Sequence, residues 1–437
     1  MKKQNHPIFL LFVKLFSPKQ VVRLVDFLKR SDEIREDIAY LLFNKSFEWR
    51  DVSLRKSAKA FESALILVAP ALGDEIGLRV IQNSFMDMRF GVCSTGSKRD
   101  LVRLVTNLRD QSMTWSMWYR LSQGLCVVGA FEAALVARDK SICLVKVETI
   151  GNGADERFVL AKIRAHLEDL ELDLAIQILS ENRQIVRASR AKQIEDFIAV
   201  LGGRSVKGME LQRESYAEVK LASIVSGKQV AVVGPAHSTE NCGTAIDSHD
   251  AVLRVRPFGK KDYTYHENYG CRSDIVCVNS QYDLDFILSE GIPDVVFLSN
   301  EIVLSKNGIL AFQSSFGQTF PFGDLVTGLR AVLTILKFCP ESLKVFCFDF
   351  YLKKNFSNPY LTKVYEETPF LFSPVISTAE LKTKDDNLSP VHDLLGNFKL
   401  AKNLLALNLI EGSEDVKSIL SKSLSEYANG LENRLSN

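Results

Sequence analysis

The chain has 437 residues, 46% of them hydrophobic and 24% charged, with a formal net charge of +1. The length predicts about two to three domains, and the composition is that of an ordinary soluble globular chain. So small a net charge excludes broad electrostatic attraction to nucleic acid.

The eight cysteines (Cys93, Cys126, Cys143, Cys242, Cys271, Cys277, Cys339 and Cys347) are scattered through apolar runs without a CxxC pair. They read as buried free thiols rather than disulfides or metal ligands, which favours a reducing compartment. At the N-terminus, Ile8-Phe9-Leu10-Leu11-Phe12-Val13 is cut off by Lys14, and a bilayer span needs about 20 residues. The segment reads as a packed first helix, with peripheral contact to a membrane surface as the alternative.

Residues 1–203 read as one all-α domain, because apolar residues recur at spacings of three and four. Phe61-Glu62-Ser63-Ala64-Leu65 returns 70 residues later as Phe131-Glu132-Ala133-Ala134-Leu135, and Leu172–Ile176 is a looser echo. Twice about 35 residues is near the period of helix-hairpin repeats. Trp118, Leu121, Phe131 and Ala134 fall at the spacing of the tetratricopeptide pattern, which this stretch resembles. Stacked repeats offer a concave face for a protein partner; an irregular helical bundle is the alternative. Gly202, Gly203 and Gly208 mark the expected boundary, with a linker or helix over 204–221.

Residues 222–437 read as an α/β domain, since short apolar strands alternate with helices. Expected strands are Gln229–Val233, Ala251–Arg254, Ile275–Val278, Val295–Leu298 and Val345–Phe348. Expected helices are Leu284–Ser289, Val326–Phe338 and Asp393–Leu407. Ligands of such sheets bind beyond the C-terminal strand ends. That gathers the loop from Gly234 to Ser238, the Val326–Gly328 segment and the loops after Cys277 and Phe348 around one crevice.

Three clusters in this half carry chemistry. A strand that breaks at Gly234 lets backbone N–H groups approach a phosphate. Yet G-x-G-x-x-G and the P-loop pattern are both missing, so dinucleotide and P-loop readings fail. His237 in this loop is open between a phosphate contact and an ordinary loop residue. Downstream come Ile246-Asp247-Ser248-His249-Asp250, Val252-Leu253-Arg254 and Gly270-Cys271-Arg272-Ser273-Asp274. His249 and Asp250 read as a turn that pins the chain by local hydrogen bonds. Thr327-Gly328 at a helix start offers a hydroxyl and amides suited to a carboxylate or phosphate; a cap without ligand is the alternative. His392 precedes a helix, and a neutral imidazole near its pKa can accept a hydroxyl proton. Asp283-Leu284-Asp285 has the D-x-D form of metal-dependent transferases, but at a helix start acidic residues also simply favour the dipole. No other cluster has metal-ligand spacing.

The cluster from Val232 to Asp274 resembles the large motif of the animal-type sialyltransferases. Leu325–Leu333 with Cys339 and Val345-Phe346-Cys347-Phe348 resembles their small motif. His392-Asp393 resembles their very small motif, with Asn397 at its glutamate position. The resemblance covers under half the chain. It implies a Rossmann-like, variant GT-A fold and inverting transfer of an acidic nonulosonate sugar from a CMP-activated donor to a glycan acceptor. His392 is then the general base. Gly234, Pro235, Ala236, His237 and Ser238 hold the nucleotide, and Thr327 and Gly328 bind donor carboxylate or phosphate. Pro235 and Arg256 stand where the family has nucleotide-contacting asparagines. The family's histidine–tyrosine motif finds its nearest echo in Lys363-Val364-Tyr365-Glu366, so Lys363 would supply charge to the departing phosphate. Sialic acid is the family norm and Kdo the competing donor. The implied reaction needs no metal and no cofactor besides the donor, in a cytoplasmic protein with peripheral membrane contact at most. The family's disulfide between the first two motifs is not expected, because Gln229 and Val230 occupy the partner region of Cys339. A non-catalytic, nucleotide-binding adaptor carrying a helical interaction domain is the alternative.

Overall fold

The structure is a computed structural model that describes residues 95–107, 114–127, 130–151, 154–203, 216–236, 238, 240–255, 266–278, 295–298, 311–313, 316, 325–352 and 393–436. Described residues from 95 to 203 form six helices: α1 (Thr95–Asn107), α2 (Trp115–Val127), α3 (Phe131–Val147), α4 (Glu156–Glu168), α5 (Leu172–Glu181) and α6 (Ala188–Leu201). The earlier repeat copy around Phe61, and the apolar run at Ile8–Val13, lie outside the described residues. Among the described residues no helix is long and apolar enough to cross a membrane.

From residue 216 the architecture is α/β. Helix α7 (Tyr216–Val225) leads into β1 (Gln229–Val233), α8 (Gly243–Asp247), β2 (Ala251–Val255), α9 (His266–Tyr269) and β3 (Ile275–Val278). Then follow β4 (Val295–Leu298), β5 (Ala311–Gln313), α10 (Thr327–Lys337), β6 (Ser342–Phe346), α11 (Leu394–Ala406), β7 (Glu411–Gly412), α12 (Glu414–Leu420) and α13 (Leu424–Ser436). All described strand pairs are parallel, in the order β5-β4-β3-β2-β1-β6-β7. The apolar runs explain this: β2 and β3 are buried along their whole length and β1 from Val230 onward, as a sheet covered on both faces requires. Parallel pairing in turn demands the crossover helices.

Three of the expected strands have the expected bounds and β2 runs one residue longer, but Val345–Phe348 does not. The last long strand begins at Ser342, in register with Gln229, and stops at Phe346 because Cys347 adopts a left-handed φ of 56°. The short β5 and β7 carry too few residues to show a period, and the expected helix Leu284–Ser289 lies outside the described residues.

The chain forms two compact units, divided elsewhere than at the glycine-rich 202–208. One comprises residues 1–148, 370–391 and 428–437; the other comprises 149–369 and 392–427. In the first unit, Trp118, Leu121, Phe131 and Ala134 are all buried where α2 and α3 pack together. Ala130 gives no side-chain cap to α3. Instead Glu432 accepts the Glu132 N–H at 2.8 Å, a carboxylate at the positive end of the helix. Residues 428–437 fall in the same compact unit as the helix that Glu432 caps.

In the second unit, α4 to α6 join the sheet domain because their polar groups bond to its helices. Lys399 reaches Asp169 at 2.7 Å, Asn403 donates to the Glu168 carbonyl, and the Phe197 ring meets Phe316 edge to face. Glycines break regular structure, but tertiary partners decide which unit a helix joins.

Candidate site at the strand C-termini

The order of the strands reverses direction between β1 and β6. In open parallel sheets that is where the loops diverge and a ligand crevice forms. The Gly234 loop of the first cluster, the Val326–Gly328 segment and the start of α11 meet here.

The rest of the first cluster forms a closed lock at the N-terminal ends of β1 to β3. Asp247, the last residue of α8, accepts the Cys271 and Arg272 N–H groups at 2.8 and 2.9 Å. Arg254, buried on β2, donates to the Tyr269 and Arg272 carbonyls. Arg272 in turn donates to the His249 and Asp250 carbonyls. Asp274 accepts the Val252 N–H at 2.8 Å, and Asp250 accepts the Gln229 N–H at 3.0 Å. His249 bonds to the Ala245 carbonyl and sets its ring edge-on to Phe346. These residues hold β1, β2 and the α8–α9 pair in place. The local bond expected at this turn is made by His249, to the Ala245 carbonyl, whereas Asp250 pins a residue 21 positions earlier. Gly270 belongs to the lock as well: its φ is +64°, and a Cβ there would overlap the Asp247 carboxylate, so only glycine suits the position.

Burial pushes the Asp247 carboxyl up, but the Cys271 and Arg272 N–H groups, the Cys271 thiol and Arg254 together hold it below its usual value of 3.8. A depressed folded pKa contributes stability that is present above the unfolded pKa and lost as pH falls through the folded one. The melting temperature should therefore fall on acidification below about pH 4, and Asp247→Asn should flatten that limb while lowering the plateau. Identical acid limbs in the two proteins would show that Asp247 does not carry this stability.

The glycine loop is pinned from beneath. Gly234 donates to the Phe346 carbonyl at 2.8 Å, Ala236 to the Cys347 carbonyl at 3.0 Å and Ser238 to the Tyr269 hydroxyl at 2.8 Å. Pro235 has no N–H. The amides expected to cradle a phosphate at 234, 236 and 238 thus already have acceptors inside the protein. His237 lies outside the described residues, as does Arg256. The Ser238 hydroxyl and the Asp415 carboxylate are 3.3 Å apart, and Glu240 accepts the Asp415 N–H at 2.5 Å and the Cys242 thiol at 3.2 Å. Burial and this bond to Glu240 push the Cys242 thiol up to about 12, leaving it a protonated, unreactive group. Burial raises the Cys347 thiol also.

The second cluster meets the first through one aromatic ring. A Cβ on Gly234 would fall 2.6 Å from Cδ2 of Phe348, and one on Gly328 would fall 2.6 Å from Cζ, on the other side of the ring. Both glycines therefore admit Phe348, a contact that sequence spacing could not reveal. The loop after β6 holds three left-handed residues, Cys347, Phe350 and Tyr351. It is braced by an aromatic series in which Phe348 meets Phe350, Phe350 meets Phe398, and Phe398 stacks on Tyr427 at 3.9 Å. The Tyr427 hydroxyl donates to the Phe350 carbonyl at 2.7 Å. Thr327 is the first residue of α10, not its cap; Val326 is the cap, without a side-chain bond.

The third cluster meets the second through Asn397. Its Oδ1 accepts the Val326 N–H at 2.9 Å, and its Nδ2 donates to the Asp393 carbonyl at 2.7 Å. Asp393 caps α11 by accepting the Gly396 N–H at 3.0 Å. His392, Lys363, Asp283 and Asp285 lie outside the described residues. No disulfide was expected at Cys339, and its carbonyl accepts the Gly227 N–H, just before β1, at 2.9 Å. Every described cysteine is a free thiol. Among the described residues no group of His, Cys, Asp and Glu is arranged to hold a metal ion.

No protein-family model, no curated protein and no solved structure matches this chain significantly.

Proposed function

We propose that the α/β unit is an inverting, sialyltransferase-like glycosyltransferase that takes an acidic nonulosonate sugar from a CMP donor. The observation that supports it is the convergence just described. Gly234 and Gly328 flank the Phe348 ring, and Asn397 ties the helix after His392 to the residue before Thr327. Three stretches far apart in sequence thereby meet at the switch point of a parallel sheet, where such folds bind ligands. His392 would take the acceptor hydroxyl proton as that oxygen attacks the anomeric carbon, and CMP would leave carrying one phosphate. Lys363 and Arg256 would supply positive charge, and Thr327 a hydroxyl toward donor carboxylate or phosphate. The acceptor in this reading is a glycan or glycolipid met in the cytoplasm or at a membrane surface, and the helical unit would hold a protein partner.

One observation favours the second reading, a nucleotide-binding adaptor without turnover: the amides of Gly234, Ala236 and Ser238 are already bonded within the protein. The nucleotide would then rest on the surface of the loop rather than in its amides.

The test is calorimetric binding of CMP, UDP and GDP to the whole chain, followed by turnover assays with CMP-sialic acid and CMP-Kdo. Selective CMP binding with turnover supports the transferase, and binding without turnover over a broad acceptor set supports the adaptor. Preference for UDP or GDP overturns both. Because CMP leaves with a single phosphate, activity should persist undiminished in EDTA. Loss that Mg²⁺ or Mn²⁺ restores would instead assign Asp283 and Asp285 to a metal site.

A further inference from the structure

We propose that Phe348 sets how many phosphates the crevice accepts: its ring occupies the space a second phosphate would need, so the site takes a nucleoside monophosphate and excludes a diphosphate. This deepens the donor reading above and rests on it. In open parallel sheets the phosphates of a bound nucleotide lie beyond the strand ends, where glycines let the backbone come close to them. Gly234 follows β1 and Gly328 stands in the first turn of α10, but at both glycines the close approach is made by the protein itself. A Cβ on Gly234 would overlap the Cys347 carbonyl oxygen and fall 2.6 and 2.9 Å from Cδ2 and Cε2 of Phe348. A Cβ on Gly328 would overlap Cε1 and fall 2.6 and 3.4 Å from Cζ and Cδ1. One glycine touches one edge of the ring and the second glycine touches the opposite edge, so the ring bridges the gap between the two segments.

The ring is held in this place. Gly234 donates to the Phe346 carbonyl and Ala236 to the Cys347 carbonyl, which fastens the loop after β1 to the segment that carries the ring. Phe348 is 8% exposed. Its centroid lies 6.1 Å from that of Phe350, and Phe350 is itself fixed by the Phe398 ring at 5.8 Å and by the Tyr427 hydroxyl on its carbonyl. Withdrawing the ring would leave a cavity between two glycines and Phe350, and core cavities are costly because their walls relax only in part. A nucleoside monophosphate can rest at the rim of the loop without disturbing the ring. A diphosphate reaching from the Gly234 side toward Gly328 would have to displace it, and a clash of this kind discriminates against the larger ligand.

The experiment is calorimetric binding of CMP and CDP to the full chain as wild type, Phe348→Met and Phe348→Ala. The wild type is expected to bind CMP at least about tenfold more tightly than CDP. Methionine nearly conserves the volume of the ring, but its flexible chain can fold aside. Phe348→Met should therefore keep the fold and reduce the preference for CMP over CDP by about fivefold or more. Phe348→Ala should reduce it further, and Phe348→Met decides the matter if the alanine variant does not fold. Equal affinities in the wild type, or an unchanged preference in folded Phe348→Met, overturns the proposal. A parallel loss of both nucleotides leaves the preference unchanged and is the mark of a ring that merely supports the loop. A wild type that binds neither nucleotide overturns the donor reading instead. Pyrophosphate and inorganic phosphate then decide for the ring: pyrophosphate binding gained in Phe348→Met supports its role as a filter, and no gain overturns it.

Discussion

His392→Ala is expected to lose transfer by about 10²-fold or more while binding CMP as the wild type does. A factor of 100 corresponds to roughly 2.7 kcal/mol of transition-state stabilisation, the contribution of one well-placed base. The described anchoring of the helix that follows belongs to other residues. Asp393 caps α11 and pairs with Arg164, and Asn397 holds Val326. None of these bonds involves the imidazole. The measurement is kcat and donor KM for the variant, with CMP affinity by calorimetry as the control. Normal turnover would remove His392 from the mechanism. Lost CMP affinity would make it a binding residue.

Gly243→Ala is expected to destabilise the sheet unit by about 2 kcal/mol net. In an exposed helix the change would stabilise by about 1 kcal/mol, since alanine is the better helix former. Here α8 lies so close to α9 that a Cβ at 243 would overlap the His266 carbonyl oxygen and fall 2.8 Å from both the Glu267 carbonyl oxygen and the Gly270 nitrogen. All three are backbone atoms, which cannot rotate away as a side chain does, and overpacking of this kind costs about 3 kcal/mol. Steric overlap therefore wins over helix propensity. Gly151→Ala is the control, because nothing lies within 4 Å of its added Cβ, and it should leave stability near the wild-type value. Of the three tryptophans in the sequence, the described Trp115 and Trp118 belong to the other compact unit. Hydrogen exchange of the β1–β3 amides is thus the proper readout. Unchanged protection there would show that α8 can move away from α9 at little cost.

Much of the α/β half was legible from residues alone because its strands are continuous apolar runs ended by polar turns. Val230–Val233, Ala251–Val255 and Ile275–Val278 are buried throughout, and no amphipathic alternation confuses them. The parallel sheet follows, since strands separated by helices pair that way. The local bond of His249 to the Ala245 carbonyl was also legible, because polar side chains in a turn bond nearby backbone groups. The sequence did not show how far apart its bonding partners would be. Asp247 with Cys271 and Arg272, Asn397 with Val326, and Arg164 with Asp393 are pairings across 24 to 229 residues, with no periodicity to announce them.

The unit boundary is the same lesson at larger scale. Gly202, Gly203 and Gly208 suggested a break, but Asp169, Glu168 and Phe197 each have partners in the sheet unit, and Glu432 caps a helix through a residue 300 positions earlier. Local composition determined which segments are strand and which are helix, because propensity and apolar period act over a few residues. Tertiary structure alone decided what the glycines are for. Gly234 and Gly328 read as openings for a ligand, and both admit the ring of Phe348, because close packing between elements depends on which surfaces meet, and no short stretch of chain contains both surfaces.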